Sequence, residues 1–514
     1  MKTSFGPNTL YLVTDSDLLH KSAISLNDHV EKAIRGGVDV VQLREKEADT
    51  GEFITKARSL LEVCRKYTVP LIINDRVDVA LAVGADGLHV GQDDMNCAEA
   101  RKLLGPDLFI GVSVNSVAEA KQAVADGADY LGIGAVYDTQ TKALTKPTMG
   151  TSGVQEIIQY LSTLDRDIGT VAIGGINASN IERIMFASSS RTKPLDGIAL
   201  VSAIMTSSDP EGTCRRLKGL LTCTPAFDQP QTVAIQSAAD LHKVTGILAK
   251  VVEQKPLIQQ MTNNVVKNFS ANVTIAVGAS PAMSEVRDEA TDFAQANGAF
   301  LLNMGMVSTV ETPIFAVQEN NRLGKPCVLD PVGAGASTFR RRATKRYLDS
   351  CYFDVLKGNE SEIRAAAGLT STQRGVDNVS TGTVEDRCDL AKSLATRLRN
   401  IVVITGTQDI VSNGVQTVVL SCGHAWLGEI TGSGCSLGST VASLLAVNPS
   451  DKFSATVSAV LLYGLAAELA AGKDTTRGPG TFVPAFIDAL WELSHSDSAF
   501  QQALQVNQDR LRFY

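Results

Sequence analysis

GGVDVVQLRE at 36–45, GADGLHVG at 84–91 and GADYLGIG at 127–134 repeat one local design, in which a helix ends in glycine, a small residue and aspartate, and a strand follows. Working outward from these copies, short apolar runs of strand type recur at TLYLVTD (9–15), VVQLRE (40–45), PLIIND (70–75), GLHVG (87–91), FIGVSV (109–114), YLGIGAVY (130–137), TVAIGGI (170–176) and GIALVSA (197–203). A helix-length interval follows each of the eight. The runs are almost uninterruptedly apolar, as strands of a parallel sheet are when both faces are covered, and polar residues collect at their C-terminal ends. An open doubly wound sheet would show the same local pattern, but the count of eight points to a (β/α)8 barrel, whose chemistry sits at those ends.

Between Thr222 and Ser237 the chain reads TCTPAFDQPQTVAIQS, with two prolines and no clear periodicity. This suggests a barrel over 1–222, a linker over 223–236 and a second domain over 237–514. In the second domain helices lengthen and glycine-rich strand ends appear: AFLLNMG (299–305), PCVLDPVGAGA (326–336), FDVLKGNESE (353–362), IVVITG (401–406) and ITGSGCSLG (430–438). The pattern is that of a second α/β domain, doubly wound.

Composition narrows the function. With 514 residues and 44% hydrophobic content the chain can build two cores, and a formal charge of -8 argues against a main role on nucleic acid. Nine cysteines without a C-x-x-C pair read as reduced thiols rather than a disulfide framework or structural zinc. The N-terminal apolar run stops at Asp15, too soon for a signal peptide, so a cytoplasmic location is expected. The apolar stretch Ala459–Ala471 is short for a membrane span and carries Glu468, which favours a buried core helix.

At the end of the second strand, QLREK places Gln42, Arg44 and Lys46 on alternate positions and so on one face. A guanidinium, an ammonium and an amide together suit a diphosphate. The plain structural alternative is an internal ion pair with Glu45 or a neighbour. IINDR and HVGQDD bring Asn74 with Asp75, and Asp93 with Asp94, to the same end, where carboxylates can hold Mg2+ against a diphosphate; helix capping is the alternative for each alone. TQTK supplies Thr139, Thr141 and Lys142. The glycines of IGGI and the VSAI turn fall after strands seven and eight, the recurrent phosphate position of barrels.

Together QLREK, ND, GQDD, GVS, TQTK, IGGI and VSAI resemble thiamine-phosphate synthase, in family order over essentially the whole first half. The resemblance implies that Gln42, Arg44, Glu45, Lys46, Asn74, Ser113 and Lys142 hold a pyrimidine diphosphate, with Arg44 and Lys46 catalytic. It implies that Asp75 and Asp94 bind Mg2+, and that Thr139, Thr141, Gly175, Val201 and Ser202 hold a thiazole phosphate. Diphosphate departure then leaves a pyrimidine-methyl cation for the thiazole nitrogen, a step without need of a general base. His89 reads as a core or supporting residue.

In the second half, TGSGCSLG (431–438) turns through Gly432 and Gly434 into a long apolar helix, an anion hole suited to phosphoryl transfer. Neither a P-loop nor a dinucleotide fingerprint is present. Cys435 lies in the turn, where the helix dipole would lower its pKa and make it a usable base, unless it is a small residue packed under a tight turn. KGNESE offers Lys357, Asn359 and Glu362 to metal and phosphate, and Thr405 with Gly406 ends the next strand. QMTNNVVKNFSAN (260–272) and GASPAM (278–283) can enclose a small ring. The ordered set resembles hydroxyethylthiazole kinase, of the ribokinase-like superfamily. The resemblance implies that Met283 and Gly432 contact the thiazole, Lys357 and Thr405 contact ATP, Cys435 takes the hydroxyl proton, and Glu362, with Asp330, serves the metal. It also implies a homo-oligomer, trimeric at the kinase and extending to six chains, with small-molecule substrates and no nucleic-acid or membrane partner. Two rival readings are a thiazole tautomerase-like barrel fused to another small-alcohol kinase, and a silent sensor of thiamine precursors.

Overall fold

The computed structural model describes residues 5–19, 24–139, 146–190, 192–306, 309–369, 382–507 and 510–514. The chain divides into two compact units, Met1–Cys223 and Thr224–Tyr514.

The first unit is a closed barrel of eight parallel strands: β1 (Thr9–Val13), β2 (Val40–Leu43), β3 (Leu71–Asn74), β4 (Gly87–Val90), β5 (Phe109–Val114), β6 (Tyr130–Ile133), β7 (Gly169–Ile173) and β8 (Gly197–Leu200). Each strand pairs with the next, and β8 closes on β1 through Thr9 and Gly197. Side chains alternate between the faces of each strand, so Leu10 and Leu12 pack outward among the helices, while Tyr11 and Val13 join Val40, Ile72, Phe109, Tyr130, Val171 and Ala199 inside. Phe5 stacks on Tyr130 at 4.2 Å between ring centroids. The Tyr130 ring lies across its register partner Gly111, where an added Cβ would stand 2.0 Å from the ring's Cζ. Gly111→Ala is therefore expected to destabilise the barrel by about 1–3 kcal/mol through overpacking, seen as an earlier melting transition.

The second unit is a nine-stranded sheet: β9 (Leu257–Met261), β10 (Ser280–Ala282), β11 (Ala299–Asn303), β12 (Cys327–Asp330), β13 (Val355–Asn359), β14 (Ile401–Thr405), β15 (Asp409–Ser412), β16 (Thr417–Leu420) and β17 (Leu511–Phe513). The order is β10-β9-β11-β12-β13-β14-β15-β16-β17. The strands are parallel up to β14, and β15 to β17 continue the sheet antiparallel. The strand order reverses between β9 and β11, which makes the carboxyl ends of these strands the natural ligand crevice. Both faces are covered: Leu301 packs on one side with Val441 and Leu445, and Phe300 and Leu302 pack on the other with Tyr347 and Phe353.

Three sequence expectations need correction here. ITGSGCSLG does not close a strand; a short 3-10 turn, Ala425–Glu429, leads into the helix Ser433–Val447. The apolar helix is Lys452–Ala471, longer than the stretch read from the sequence and long enough to span a bilayer, yet it is buried along most of its length inside the unit. The segment read as a linker is no free tether: Thr232 N–H donates to Ser450 O at 2.7 Å, Ala234 N–H to Asp451 Oδ2 at 2.6 Å and Ile235 N–H to Ser454 Oγ at 2.9 Å. Phe227 also stacks on Tyr352. From Thr224 onward the chain is part of the second unit.

Candidate active sites

The barrel's polar groups gather at the carboxyl ends of β1 to β5. Arg44 is fixed just beyond β2 by its own N–H, which donates to Thr14 Oγ1 at 3.1 Å, and its guanidinium pairs with Asp15 Oδ2 at 3.5 Å. Lys46 lies close enough to Asp75 to favour that carboxylate's ionised form. Glu45, between them in sequence, falls on the opposite face by strand alternation. Its carboxylate is taken by Ser16 Oγ and by Lys56 Nζ at 2.8 Å, so the side chain expected to help hold the diphosphate is turned to the following helix instead.

Asp75 sits in the left-handed region at φ 62°, a conformation an aspartate tolerates and functional loops often hold. Its N–H donates to His89 O at 2.8 Å, and its carboxyl meets those of Asp94 and the amide of Asn74. Burial, then the Asp94 contact, pushes Asp75 up to about 6, with Lys46 opposing. Asp94 is itself steadied by Gly91 N–H at 2.8 Å. Two carboxyls in contact must share a proton or a cation. This donor set suits Mg2+, which takes one or two carboxylates and fills its shell with water and phosphate oxygens; among the described residues no larger cluster of metal-ligating side chains occurs in either unit.

Beneath the mouth runs a buried hydrogen-bond chain absent from the sequence reading. Gln42 Nε2 donates to Tyr11 Oη at 2.9 Å, Tyr11 Oη meets Tyr130 Oη at 2.8 Å, Tyr130 Oη meets His89 Nδ1 at 3.0 Å, and His89 Nε2 meets Ser113 Oγ at 2.9 Å. The chain ties two expected diphosphate ligands, Gln42 and Ser113, to one rigid interior. His89 supports Ser113 from below. Beyond β7, Gly175 takes φ 66°, and a side chain there would strike Asp138 O and Tyr137. Val201 O accepts the N–H of Met205 at 2.9 Å, closing the turn that carries Ser202. Thr139 is half-buried, and Thr141 and Lys142 lie outside the described residues.

In the second unit the site lies along the carboxyl edge of β9, β11, β12 and β13. Asn263 Nδ2 donates to Asn303 Oδ1 at 3.2 Å, Asn303 Nδ2 to Asp330 Oδ2 at 3.0 Å, and Lys357 Nζ to Asp330 Oδ2 at 3.1 Å and to Gly434 O at 2.7 Å. The line crosses four strands and ends on the turn that carries Cys435. Neither Asn263 nor Asn303 was singled out from the sequence; the one available signal was a polar residue at a strand end before glycine, in LLNMG. Lys357 is 2% exposed. Burial works against its ammonium, but Asp330, Cys435 and Glu362 hold it above the ordinary lysine range. It is thus an internal cation rather than an open one.

Both oxygens of Glu362 accept backbone donors, Gly333 N–H and Asn359 N–H, each at 2.8 Å. The second contact completes a capping box with Asn359 on the helix Glu360–Ala366. Burial, then Asp330, pushes Glu362 up to about 7. Thr405 ends β14 half-buried, and the next N–H, of Gly406, is held by Asp409 Oδ1 at 3.0 Å. Gly432 begins the helix Ser433–Val447 at φ 88°, pressed on Val266 and Phe269. Met283 follows β10 and is half-buried.

Cys435 requires a correction. Burial, then Asp330, pushes its thiol up to about 11, opposite to the lowering expected from a helix N-terminus. The dipole is outweighed because the site is buried and already holds two carboxylates. At neutral pH Cys435 is a thiol.

Two family models match the chain: "Thiamine monophosphate synthase" over residues 10–204 and "Hydroxyethylthiazole kinase family" over 248–496. The "Probable thiamine biosynthetic bifunctional enzyme" of Schizosaccharomyces pombe is 45% identical over 94% of this chain and 95% of its own length. The "Thiamine biosynthetic bifunctional enzyme" of Saccharomyces cerevisiae is 37% identical over 95% and 96% respectively. A "Hydroxyethylthiazole kinase" of Chloroflexus aurantiacus is 40% identical over 49% of this chain and 93% of its own.

Proposed function

This chain belongs to the bifunctional enzymes of thiamine biosynthesis, a thiamine-phosphate synthase unit followed by a hydroxyethylthiazole kinase unit, and from that premise we propose how its residues divide the chemistry. In the second unit ATP phosphorylates 4-methyl-5-(2-hydroxyethyl)thiazole. The γ-phosphoryl group moves to the alcohol oxygen, ADP leaves and the hydroxyl proton is released. In the first unit the thiazole phosphate meets 4-amino-2-methyl-5-(diphosphooxymethyl)pyrimidine; the C–O bond to diphosphate breaks, a C–N bond to the thiazole nitrogen forms, and thiamine phosphate results.

The observation that carries the coupling reading is that Lys46 lies close to the Asp75–Asp94 pair, with Arg44 held by Thr14 and Asp15, at one end of a closed barrel. Arg44, Lys46, Gln42, Asn74, Ser113 and Lys142 bind the diphosphate and its pyrimidine, and Thr139, Thr141, Gly175, Val201 and Ser202 bind the thiazole phosphate. Asp75 and Asp94 would hold Mg2+, which would supply positive charge against the departing diphosphate. Fixed charges of this kind stabilise the transition state without reorganisation. In the kinase, Met283 and Gly432 bound the thiazole and Thr405 meets ATP. Lys357 acts through Gly434 O on the helix N-terminus, and Asp330 and Glu362 would serve the metal. Because phosphoryl transfer has a loose transition state, a neutral Cys435 thiol can accept a hydrogen bond from the alcohol without acting as a strong base. The location proposed is cytoplasmic, and the assembly a homo-oligomer on a trimeric kinase core, reaching a hexamer.

The test is direct: purified chain with Mg2+, ATP, the thiazole alcohol and the pyrimidine diphosphate forms thiamine phosphate, and supplying thiazole phosphate removes the need for ATP. No product under either condition would overturn the assignment.

The carboxyl pair gives a second expectation. Asp75 is raised from its ordinary 3.8 to about 6 in the folded state, so the folded chain holds that proton more tightly than the unfolded one. Stability is lost as the pH rises through this interval, because both carboxyls must then be ionised side by side. A cation can replace the proton. Mg2+ is expected to raise the melting temperature of the first unit near neutral pH and to do little at about pH 4–5; equal effects at both would remove Asp75 and Asp94 from the metal site.

A further inference from the structure

The polar line at the kinase edge has a hub. Asn303 is 4% exposed and accepts two hydrogen bonds at Oδ1, from Asn263 Nδ2 at 3.2 Å and Gly305 N–H at 3.0 Å, while its Nδ2 donates to Asp330 Oδ2. Its orientation is forced. Gly305 N–H can only donate, so it must face the carbonyl oxygen, and a carboxylate can only accept, so it must face the amide nitrogen. Asn263 is set likewise, because its Oδ1 accepts Val265 N–H at 3.1 Å and only its nitrogen remains for Asn303. Backbone groups thus anchor the line at one end, and Gly434 O at the other.

The consequence falls on Asp330. Its Oδ2 takes two donors, Asn303 Nδ2 at 3.0 Å and Lys357 Nζ at 3.1 Å, and its Oδ1 has no partner although the residue is fully buried. A buried carboxylate oxygen left without a donor is costly unless a ligand supplies one. Lys357 alone could satisfy either oxygen, since an ammonium is a point charge with freely rotating donors, whereas the planar amide of Asn303, clamped on its far side by Gly305 and Asn263, fixes one. Cys435 lies within hydrogen-bonding reach of the same amide.

We propose that Asn303 is a positioning residue of the kinase unit, turning Asp330 so that Oδ2 faces the protein and Oδ1 stays the open acceptor for the reactants. The proposal rests on the kinase reading of this unit and assigns a role to a residue that the sequence analysis quotes only as part of a strand end. Asn303 touches no substrate; it acts through Asp330 and Cys435.

The experiment uses the full chain and two variants. Asn303→Ala is expected to lower kcat for ATP-dependent phosphorylation of the thiazole alcohol by about 10–100-fold, the usual consequence of a misplaced reacting group, with KM for both substrates changed less than about threefold. Coupling of supplied thiazole phosphate, a property of the other unit, is unchanged and reports that the first unit is intact, while the second unit's melting transition reports on its own fold. Asn303→Asp keeps both acceptor contacts at Oδ1 and sets a carboxylate against Asp330, beside Lys357, Cys435 and Glu362. Its kcat relative to the wild type should recover as the pH is lowered, when one proton restores the link, while the Asn303→Ala ratio stays flat. The proposal is overturned if Asn303→Ala keeps its kcat within threefold, if the loss is in KM, or if the Asn303→Asp ratio does not move with pH. Should Asn303→Ala lose the second unit's melting transition, Asn303→Asp alone decides. A wild type that phosphorylates nothing would instead sink the functional assignment itself.

Discussion

Arg44→Ala is expected to slow coupling of thiazole phosphate to the pyrimidine diphosphate by about 10²–10³-fold, the magnitude associated with removing one preorganised donor from developing negative charge. The backbone N–H of Arg44 is tied to Thr14 and its guanidinium leans on Asp15, so it is held in place before substrate arrives. Its ion pair with Asp15 is long, at 3.5 Å, and leaves most of the five N–H donors for a diphosphate. Lysine should not replace it fully, because a point charge lacks the bidentate fork. ATP-dependent phosphorylation should continue at the wild-type rate, since none of the residues assigned to it belongs to the barrel. If both activities fall together in a protein that still melts normally, the division of labour between units is wrong.

Asp330→Ala is the severest change expected in the kinase unit. Lys357 is 2% exposed and has no other carboxylate within ion-pair distance among the described residues. Removing Asp330 therefore strands a buried ammonium, at a cost of about 3–5 kcal/mol, and deprives the edge of its open acceptor. Phosphorylation should be undetectable, with the second unit melting earlier and coupling of supplied thiazole phosphate retained. Asp330→Asn separates the two effects, since it keeps an acceptor for Lys357. A variant as stable and as active as the wild type would remove Asp330 from the mechanism.

Much of this was legible in the chain itself. The barrel followed from counting, because a strand buried on both faces must be apolar throughout, and only its carboxyl end can carry Gln42, Arg44 and Lys46. The acidic pair followed from the same rule applied to the next two strands. What escaped were residues whose meaning lies in a partner far along the chain. Tyr11 and Tyr130 stand inside apolar strand runs and are also links between Gln42 and His89. Asn303 reads as the end of an apolar run. The sequence reading contains none of the antiparallel strands β15–β17; β17 comes from the C-terminal residues, remote from its neighbour β16, whereas β15 and β16 form a local hairpin.

Sequence by itself determined the two folds, because periodicity and turn chemistry are local, and the motifs, standing in family order, carried the resemblance that names the two activities and their order. Only tertiary structure decided what the charges do there. It turned Glu45 to Lys56, buried Lys357 against Asp330, and raised the Cys435 thiol to about 11 where a helix terminus alone would have lowered it. The reason is that a pKa or an ion pair depends on burial and on every charge within a few ångströms, and those neighbours come from strands that the chain visits tens of residues apart.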